Sequence, residues 1–469
     1  LARLSVAEAA RAVGGRVTAG DPGAMIEGAA LDSRRVRGGE LFFAFAGART
    51  DGHRFVADAL ARGAAAAMVQ QDVPAPPAGA LIRVPDTFRA LHDLARHVRE
   101  RLPERLVGIT GSAGKTTTKE LLAAMLARRF RVAWTPGNLN NLYGFPLSLL
   151  NVPEGTEWMV AEMGMSTPGE LRRLSLLGRP DAALFTVVRP VHLEFFASVR
   201  AIAEAKSELL AGLAPDGFIV ANADDPEVAR IAARYRSQHG ARVVRYGLHS
   251  EEADVKARDP VPEPAGGVGS RFRLEAGGRA VEVRLPLHGL YNVENCLAAA
   301  ACAWALDVPL EEIAAAVRSV RPAAMRGVVH RTDRGFTLID DSYNSNPDAL
   351  GKALEGAISL PGERRIAILG DMLELGPQGP RFHREAGERA ARLGFSPVAG
   401  VGELSRELVR GAAAAGAAAV WLPDAGAAAD WAAGEVRPGD LALVKASRGV
   451  GLETVVQRLL GGAAAEREH

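Results

Sequence analysis

The chain has 469 residues with 56 basic and 55 acidic side chains, a formal net charge of +1. That balance excludes a polycationic nucleic-acid coat and an acidic solvating tail, but not a local anion site. With 48% hydrophobic and 24% charged residues the composition is that of a globular protein, and at roughly 150 residues per domain the length predicts about three domains.

Two cysteines, Cys296 and Cys302, are too few for a disulfide framework, and both fall in an alanine-rich apolar run where burial is expected. No run of about 18 apolar residues escapes a charge, Pro or Gly, and the first residues include Glu8. Neither a membrane span nor a signal peptide is predicted, and a cytoplasmic location is the default.

Short apolar runs alternate with helical patterns, which predicts an α/β protein with mainly parallel sheets. Residues 1–83 form a first small α/β unit. It has a strand at 41–47, a helix from Gly52 to Arg62, a strand at 65–69 and a loop marked by Pro74, Pro76 and Pro77. A helix near Thr87–Arg101 leads to Pro103 and opens a second unit, 84–321, with strands predicted at 105–110, 157–163, 181–188 and 217–223. Residues 259–270, DPVPEPAGGVGS, are expected to be loop, and 272–285 a hairpin about Gly277-Gly278. An apolar helix follows from about Asn292 to Leu306. The third unit, 322–462, carries strands at 336–341, 364–371, 397–401, 418–422 and 440–446, and the final AAAEREH is expected to fray.

The sharpest local signal is RLVGITGSAGKTTTKELLAAML, a strand running into a Gly-rich turn from which a helix opens at Lys115. Small residues let backbone N–H groups curl around phosphates, and the helix start adds positive potential. Gly111, Ser112, Ala113, Gly114, Lys115, Thr116 and Thr117 are therefore the predicted nucleotide-binding set. Lys115 reaches the outer phosphates, and the Thr116 hydroxyl is suited to Mg²⁺. The spacing is not the strict phosphate-loop pattern, since Gly108 lies five residues before Gly114 and Ile109 takes the usual glycine position. A loop of this kind serves hydrolases, kinases, switches and ligases alike.

Further along, Glu162 ends the strand of VAEMG, where a carboxylate suits Mg²⁺. His192 follows a strand in VVRPVHLEFF, and Lys206 lies in a helix, AIAEAKSELL. Taken singly each has an ordinary structural reading. Taken in order, TGSAGKTTT, VAEMG, HLE and AKSELL resemble the ATPase domain of the Mur ligases, ATP-dependent amide-forming enzymes of peptidoglycan assembly. NLNN at 138–141, NADDP at 222–226, LYNVENCLAA at 290–299 and Arg326 in PAAMRG extend the resemblance over the whole chain. VVRPVHLEFF departs from the more usual family wording around its histidine.

The resemblance implies three α/β domains: a small UDP-binding domain, a central phosphate-loop ATPase with a mainly parallel sheet, and a C-terminal Rossmann-like domain. It implies that Lys115, Glu162, His192 and Lys206 are catalytic, and that Thr116, Glu162, His192 and Lys206 serve two Mg²⁺ ions. Lys206 would carry a CO₂-derived carbamate, since an unmodified ammonium would repel metal. Asn292, Asn295 and Arg326 would join the loop in holding ATP, and Asn140 and Asn141 would lie near substrate.

The first unit, DSRRVRGGELFFAFAGARTDGHRF, resembles the UDP-binding domain shared by two branches of the family. It implies substrate roles for Ser33, Arg34, Arg49, Asp51 and His53. The third unit separates the branches. LIDDSYNSNPDAL, AILGDMLELG and LVKASRGVGLETVV resemble the branch that adds D-alanyl-D-alanine to UDP-N-acetylmuramoyl-tripeptide. The diamino-acid-adding branch would show an Asp-Asn-Pro-Arg motif, and the chain has none. Asp341, Tyr343, Asn344, Asn346, Lys445, Ser447 and Arg448 then line the acceptor cleft. Asp371 and Glu374, on a loop at a strand's carboxyl end, suit helix capping as well as substrate contact. The implied partners are those two substrates, with no nucleic acid, no membrane insertion and a monomeric state. A diamino-acid-adding ligase and a non-catalytic nucleotide-binding scaffold are the alternatives.

Overall fold

The computed structural model describes residues 4–47, 50–74, 77–102, 104–191, 193–263 and 267–461. Arg49, His192 and the tail after Gly461 lie outside the described residues. The chain is an α/β protein folded into two compact units, each gathered from separate stretches. Residues 1–110, 129–184 and 206–219 make the first, and 111–128, 185–205 and 220–469 the second.

In the first unit, strands Gly28–Ala30, Glu40–Phe43, Ala66–Val69 and Ala80–Arg83 pair in parallel in that order, and Arg16–Ala19 adds antiparallel to the last. Phe42, Val56, Leu60, Val69 and Leu81 share its core. The strand expected at 41–47 stops at Phe43, because the chain turns back in a single bridge between Ala46 and Asp51. The helix expected from Gly52 to Arg62 divides into a 3₁₀ turn, Gly52–Phe55, and an α-helix, Val56–Ala61. Asp51 caps the turn through His53 N, and Gly52 lies so close to Phe45 that a Cβ would sit 2.8 Å from its N. The helix Thr87–Arg99 starts at an Asp86 cap and buries Ala90, Leu91, Leu94, Ala95 and Val98 at three- and four-residue spacing. Strand Trp158–Glu162 pairs in parallel with Arg105–Thr110 on one side and Val132–Trp134 on the other.

In the second unit, Arg242–Gly247, Val255–Pro262, Ser270–Ala276 and Arg279–Leu285 run side by side. The hairpin at Gly277-Gly278 forms as expected, with both glycines at positive φ, which a two-residue turn of this hand requires. The loop expected at 259–270 is corrected: pairing with Ser270–Ala276 continues to Pro262. A register shift between Arg258 and Val261 takes up Pro260, which has no N–H for the ladder.

The C-terminal part of this unit is a six-stranded sheet. Its order is Val328–Arg331, Thr337–Asp341, Leu441–Lys445, Arg365–Gly370, Phe395–Val401, Ala419–Leu422, and only the first pairing is antiparallel. Apolar clusters cover both faces, as in a doubly wound fold. The five strands expected here form, and the edge strand Val328–Arg331 was not foreseen. The last strand inserts beside the second, so the carboxyl ends carrying Asp341 and Lys445 are neighbours in register. Cys296 and Cys302 are fully buried, and burial pushes the Cys296 thiol up to about 12. Among the described residues no helix is long and apolar enough to cross a membrane.

Candidate functional site

The phosphate loop belongs to the second unit and is held by the stretch after Phe185. Ser112 N donates to Val187 O at 2.7 Å, and the Thr186 hydroxyl donates to Ala113 O at 2.6 Å. The Ser112 hydroxyl donates to Arg189 O at 3.1 Å and accepts from Arg189 N at 2.9 Å. Two glycines are obligatory. Gly111 has φ +154, and a Cβ there would lie 1.8 Å from Thr186 Oγ1; Gly114 has φ +82, and a Cβ would lie 2.1 Å from Asn295 Oδ1. The helix Lys115–Leu126 begins at the left-handed Gly114 without a side-chain cap, a kind of helix start at which anions can bind. Lys115 Nζ donates to Gly111 O at 2.8 Å, folded over its own loop. The Thr116 side chain is buried in the first helical turn, and Thr117 is half-buried.

The predicted asparagines meet this loop by a relay. Asn292 Nδ2 donates to His288 O at 2.7 Å, Asn295 Nδ2 donates to Asn292 Oδ1 at 3.1 Å, and the Asn295 amide oxygen is left against Gly114. Arg326 stacks on the Tyr343 ring, Cζ to centroid 3.9 Å, and Arg448 approaches the same ring at 5.9 Å. Stacking holds a guanidinium flat while leaving its N–H edge for acceptors.

Lys445 is buried; its Nζ lies 2.6 Å from Asp341 Oδ2 and donates to Asn344 O at 2.9 Å. The Asn344 Oδ1 accepts from Ser345 N at 2.9 Å. Asn346 caps the helix Pro347–Ala357 through Ala349 N at 2.8 Å. The Ser447 hydroxyl donates to Ser345 O at 3.3 Å and accepts from Leu373 N at 2.9 Å. Asp341 to Asn346 and Lys445 to Arg448 are therefore brought together, while the buried Ser447 is engaged in holding the backbone. Asp371 is a helix cap: its Oδ1 accepts from Ser405 N and Oγ, each at 2.7 Å. Glu374 sits at φ +63 with its carbonyl accepting from Glu194 N at 3.3 Å.

In the first unit, Glu162 is 2% exposed at the end of its strand. Asn140 Nδ2 donates to its Oε1 at 2.7 Å, and its N–H donates to Thr135 Oγ1 at 3.0 Å. Asn141 instead caps the start of Gly144–Leu150, accepting from Tyr143 N and Gly144 N. Lys206 is 3% exposed near the end of Val199–Ser207. Among the described residues no group of three or more His, Cys, Asp or Glu is arranged to hold a metal.

Of the UDP-block residues, Ser33 is buried and Arg34 is exposed, forked onto Asp32 with Nη2 2.7 Å from Oδ2. His53 Nδ1 lies 2.6 Å from Asp51 Oδ1, and Nε2 accepts from Gln70 N at 3.0 Å, which assigns the ring proton to Nδ1. His53 thus holds the loop internally. Its N–H and then its ring hold the Asp51 carboxyl below the usual carboxylate range. Phe45, Phe88 and Tyr143 form an aromatic cluster missed in the sequence, with Tyr143 centroid distances of 5.2 and 4.9 Å to the phenyl rings. Thr186, Arg189 and Asp225 were also missed. Thr186 fell inside the strand expected at 181–188, which ends instead at Phe185, and Arg189 just beyond that expected strand.

Known proteins match along the chain. Residues 25–99 match the Mur ligase family catalytic domain, 109–303 the Mur ligase middle domain, and 325–448 the Mur ligase glutamate ligase domain. The UDP-N-acetylmuramoyl-tripeptide–D-alanyl-D-alanine ligase of Bacillus subtilis is 34% identical over 93% of each chain. A crystal structure of MurF from Acinetobacter baumannii has a TM-score of 0.86 at 29% identity, covering 98% of this chain and 99% of that one. The MurF ligase of Thermotoga maritima, solved in complex with ADP, has a TM-score of 0.78 at 30% identity, covering 93% and 97%.

Proposed function

Because the chain belongs to the Mur ligase family, we propose that it is the ATP-dependent enzyme that joins D-alanyl-D-alanine to UDP-N-acetylmuramoyl-tripeptide, completing the peptidoglycan precursor UDP-N-acetylmuramoyl-pentapeptide. The observation that carries this reading is likeness over nearly the whole length to enzymes named for that reaction. The chain's lack of the diamino-acid motif favours the same branch. We assign residues 1–83 to the UDP substrate, 84–321 to ATP and 322–462 to the acceptor, in a monomer working in the cytoplasm.

The tripeptide's terminal carboxylate attacks the γ-phosphoryl of ATP, and ADP leaves. The dipeptide amine then attacks the acyl phosphate, and amide and phosphate result. Lys115 must exchange Gly111 O for phosphate oxygens, a neutral acceptor for charged ones. Arg326, held flat by Tyr343, offers its N–H edge to the nucleotide. Lys445, fixed by Asp341 and Asn344 O, sets the loop that faces the acceptor. Gathering these groups before reaction supplies orientation, and excluding water protects the acyl phosphate.

A buried carboxylate with an amide donor, Glu162, and a buried first-turn hydroxyl, Thr116, fit hard cations, and we assign them with His192 and Lys206 to two Mg²⁺ ions. Bound there, the metal would offset phosphate charge. Lys206 is buried, and the family resemblance assigns it a carbamate, which would replace an ammonium by an anion able to face metal. Protein equilibrated with ¹³C-labelled CO₂ should give a carbamate signal that Lys206→Ala loses; an identical signal in the variant rejects the assignment.

The function is tested with purified protein, ATP, Mg²⁺ and UDP-muramoyl-tripeptide. Amide product should form only when D-alanyl-D-alanine is present. Incorporation of lysine or diaminopimelate into the dipeptide nucleotide identifies the other branch. ATP turnover that no peptide substrate stimulates favours a scaffold.

A further inference from the structure

Arg189 joins the phosphate loop to the helix Pro347–Ala357. Its backbone is locked to the phosphate loop, because the Ser112 hydroxyl both donates to its carbonyl and accepts from its N–H. Its guanidinium points to other partners. Nη1 donates to Asp225 Oδ2 at 2.6 Å and to Val188 O at 2.9 Å, and Nε donates to Asp348 Oδ1 at 3.3 Å.

Asp225 is 1% exposed at its side chain and anchors this fork. Its second oxygen caps the helix Pro226–His239 through Glu227 N and Val228 N, and its Oδ2 also accepts from Val188 N. Asp348 lies in the first turn of Pro347–Ala357, two residues after the cap Asn346. Its Oδ2 is buried without a hydrogen-bond partner, with Lys352 Nζ 3.8 Å away. Lys352 in turn donates to Glu294 Oε2 at 2.9 Å, on the helix that carries Asn292 and Asn295.

We propose that Arg189 is a positioning residue that couples nucleotide at the phosphate loop to the setting of the Pro347–Ala357 helix and the Asp341–Asn346 segment before it, through Asp348. Phosphate oxygens arriving at the loop draw on its N–H groups. Ser112 cannot follow without moving Arg189, and a planar guanidinium passes that movement to both carboxylates. The link to Asp348 is a single bond with one carboxylate oxygen unsatisfied. A second N–H of the fork reaching Oδ2 would make it bidentate, which is the stronger arrangement. Lysine, a point donor on a flexible stem, cannot bridge both acids in this way.

The first test is amide hydrogen exchange at 347–352, with and without a non-hydrolysable ATP analogue, which needs no turnover. In the wild type the analogue should slow exchange at Ala349 and Leu350 by about tenfold, within the usual range of coupling between sites. Asp348→Ala and Arg189→Met should both lose that slowing while still binding the analogue. Arg189→Lys, which keeps a cation beside Asp225, should fold but not recover it. Asp348→Ala serves if Arg189→Met fails to fold, since it leaves the buried Asp225 pair intact. The second readout alone rests on the ligase reading: the same variants should raise KM for D-alanyl-D-alanine about tenfold and leave KM for ATP within about threefold, a loss confined to one substrate. Wild-type slowing in Asp348→Ala, or no slowing in the wild type at saturating analogue, overturns the proposal. Failure of the wild type to form amide product rejects the ligase reading and leaves the exchange result to decide the coupling.

Discussion

The helix Lys115–Leu126 and the helices Pro226–His239 and Pro347–Ala357 begin in opposite ways. The latter two start at Asp225 and Asn346, whose side chains take the first free N–H groups. The first starts at a left-handed glycine and has no side-chain cap. Around it, polar groups hold the loop by its carbonyls and by Ser112, not by capping the helix. The difference separates helix starts closed by a side chain from one that has no such cap, the end assigned above to nucleotide.

The largest effect should come from breaking the uncapped end. Gly114→Ala combines positive φ with a Cβ 2.1 Å from Asn295 Oδ1. It should weaken nucleotide binding by about a hundredfold, or about 3 kcal/mol, measured by titration with a nucleotide analogue. Binding unchanged within threefold would show that the glycine is only a turn. At the capped end of Pro226–His239, Asp225→Ala should lower stability by about 3 kcal/mol in urea melts, because it leaves Arg189 without its buried partner as well as removing a cap. Asn346→Ala removes a cap alone and should lower stability by about 1 kcal/mol. A loss as large as that of Asp225→Ala would mean that the two caps do not differ by the ion pair.

The smallest effect is on pH. Burial, the largest influence on each, lowers the pKa of His92, His288, His330 and His383 below the usual histidine value of 6.5. A depressed histidine is neutral in both states above the unfolded pKa, so its stability is complete there. It is lost as pH falls below about 6.5, when the unfolded chain takes the proton first. Melting temperature should fall on acidification below that value, and His288→Gln should flatten part of the fall. An unchanged slope would remove His288 from the set.

The strand–turn–helix around Gly111 and Gly114 was legible because its signal lies in adjacent residues, two glycines at positive φ between an apolar strand and a helix. The parallel sheets were legible from apolar runs between helical patterns. The Arg189 bridge was not, since its acidic partners lie 36 and 159 residues away and a lone arginine carries no local pattern. Asp371 could not be settled alone, because the helix it caps begins 34 residues later. The strand through Pro260 was hidden for another reason: proline signals a loop, and the register shift that tolerates it leaves no mark in composition. Asn140 and Asn141 are adjacent and alike, yet only the fold sends one to Glu162 and the other to a helix start.

Both thiols are sealed inside a helix, and burial raises them far from the thiolate form in which cysteine reacts. Maleimide chemistry at neutral pH should therefore be silent on the native protein, without any cysteine being removed. One cysteine introduced on the exposed side of Pro347–Ala357 would be the sole labelled position, and a fluorophore there would report that helix as nucleotide is added.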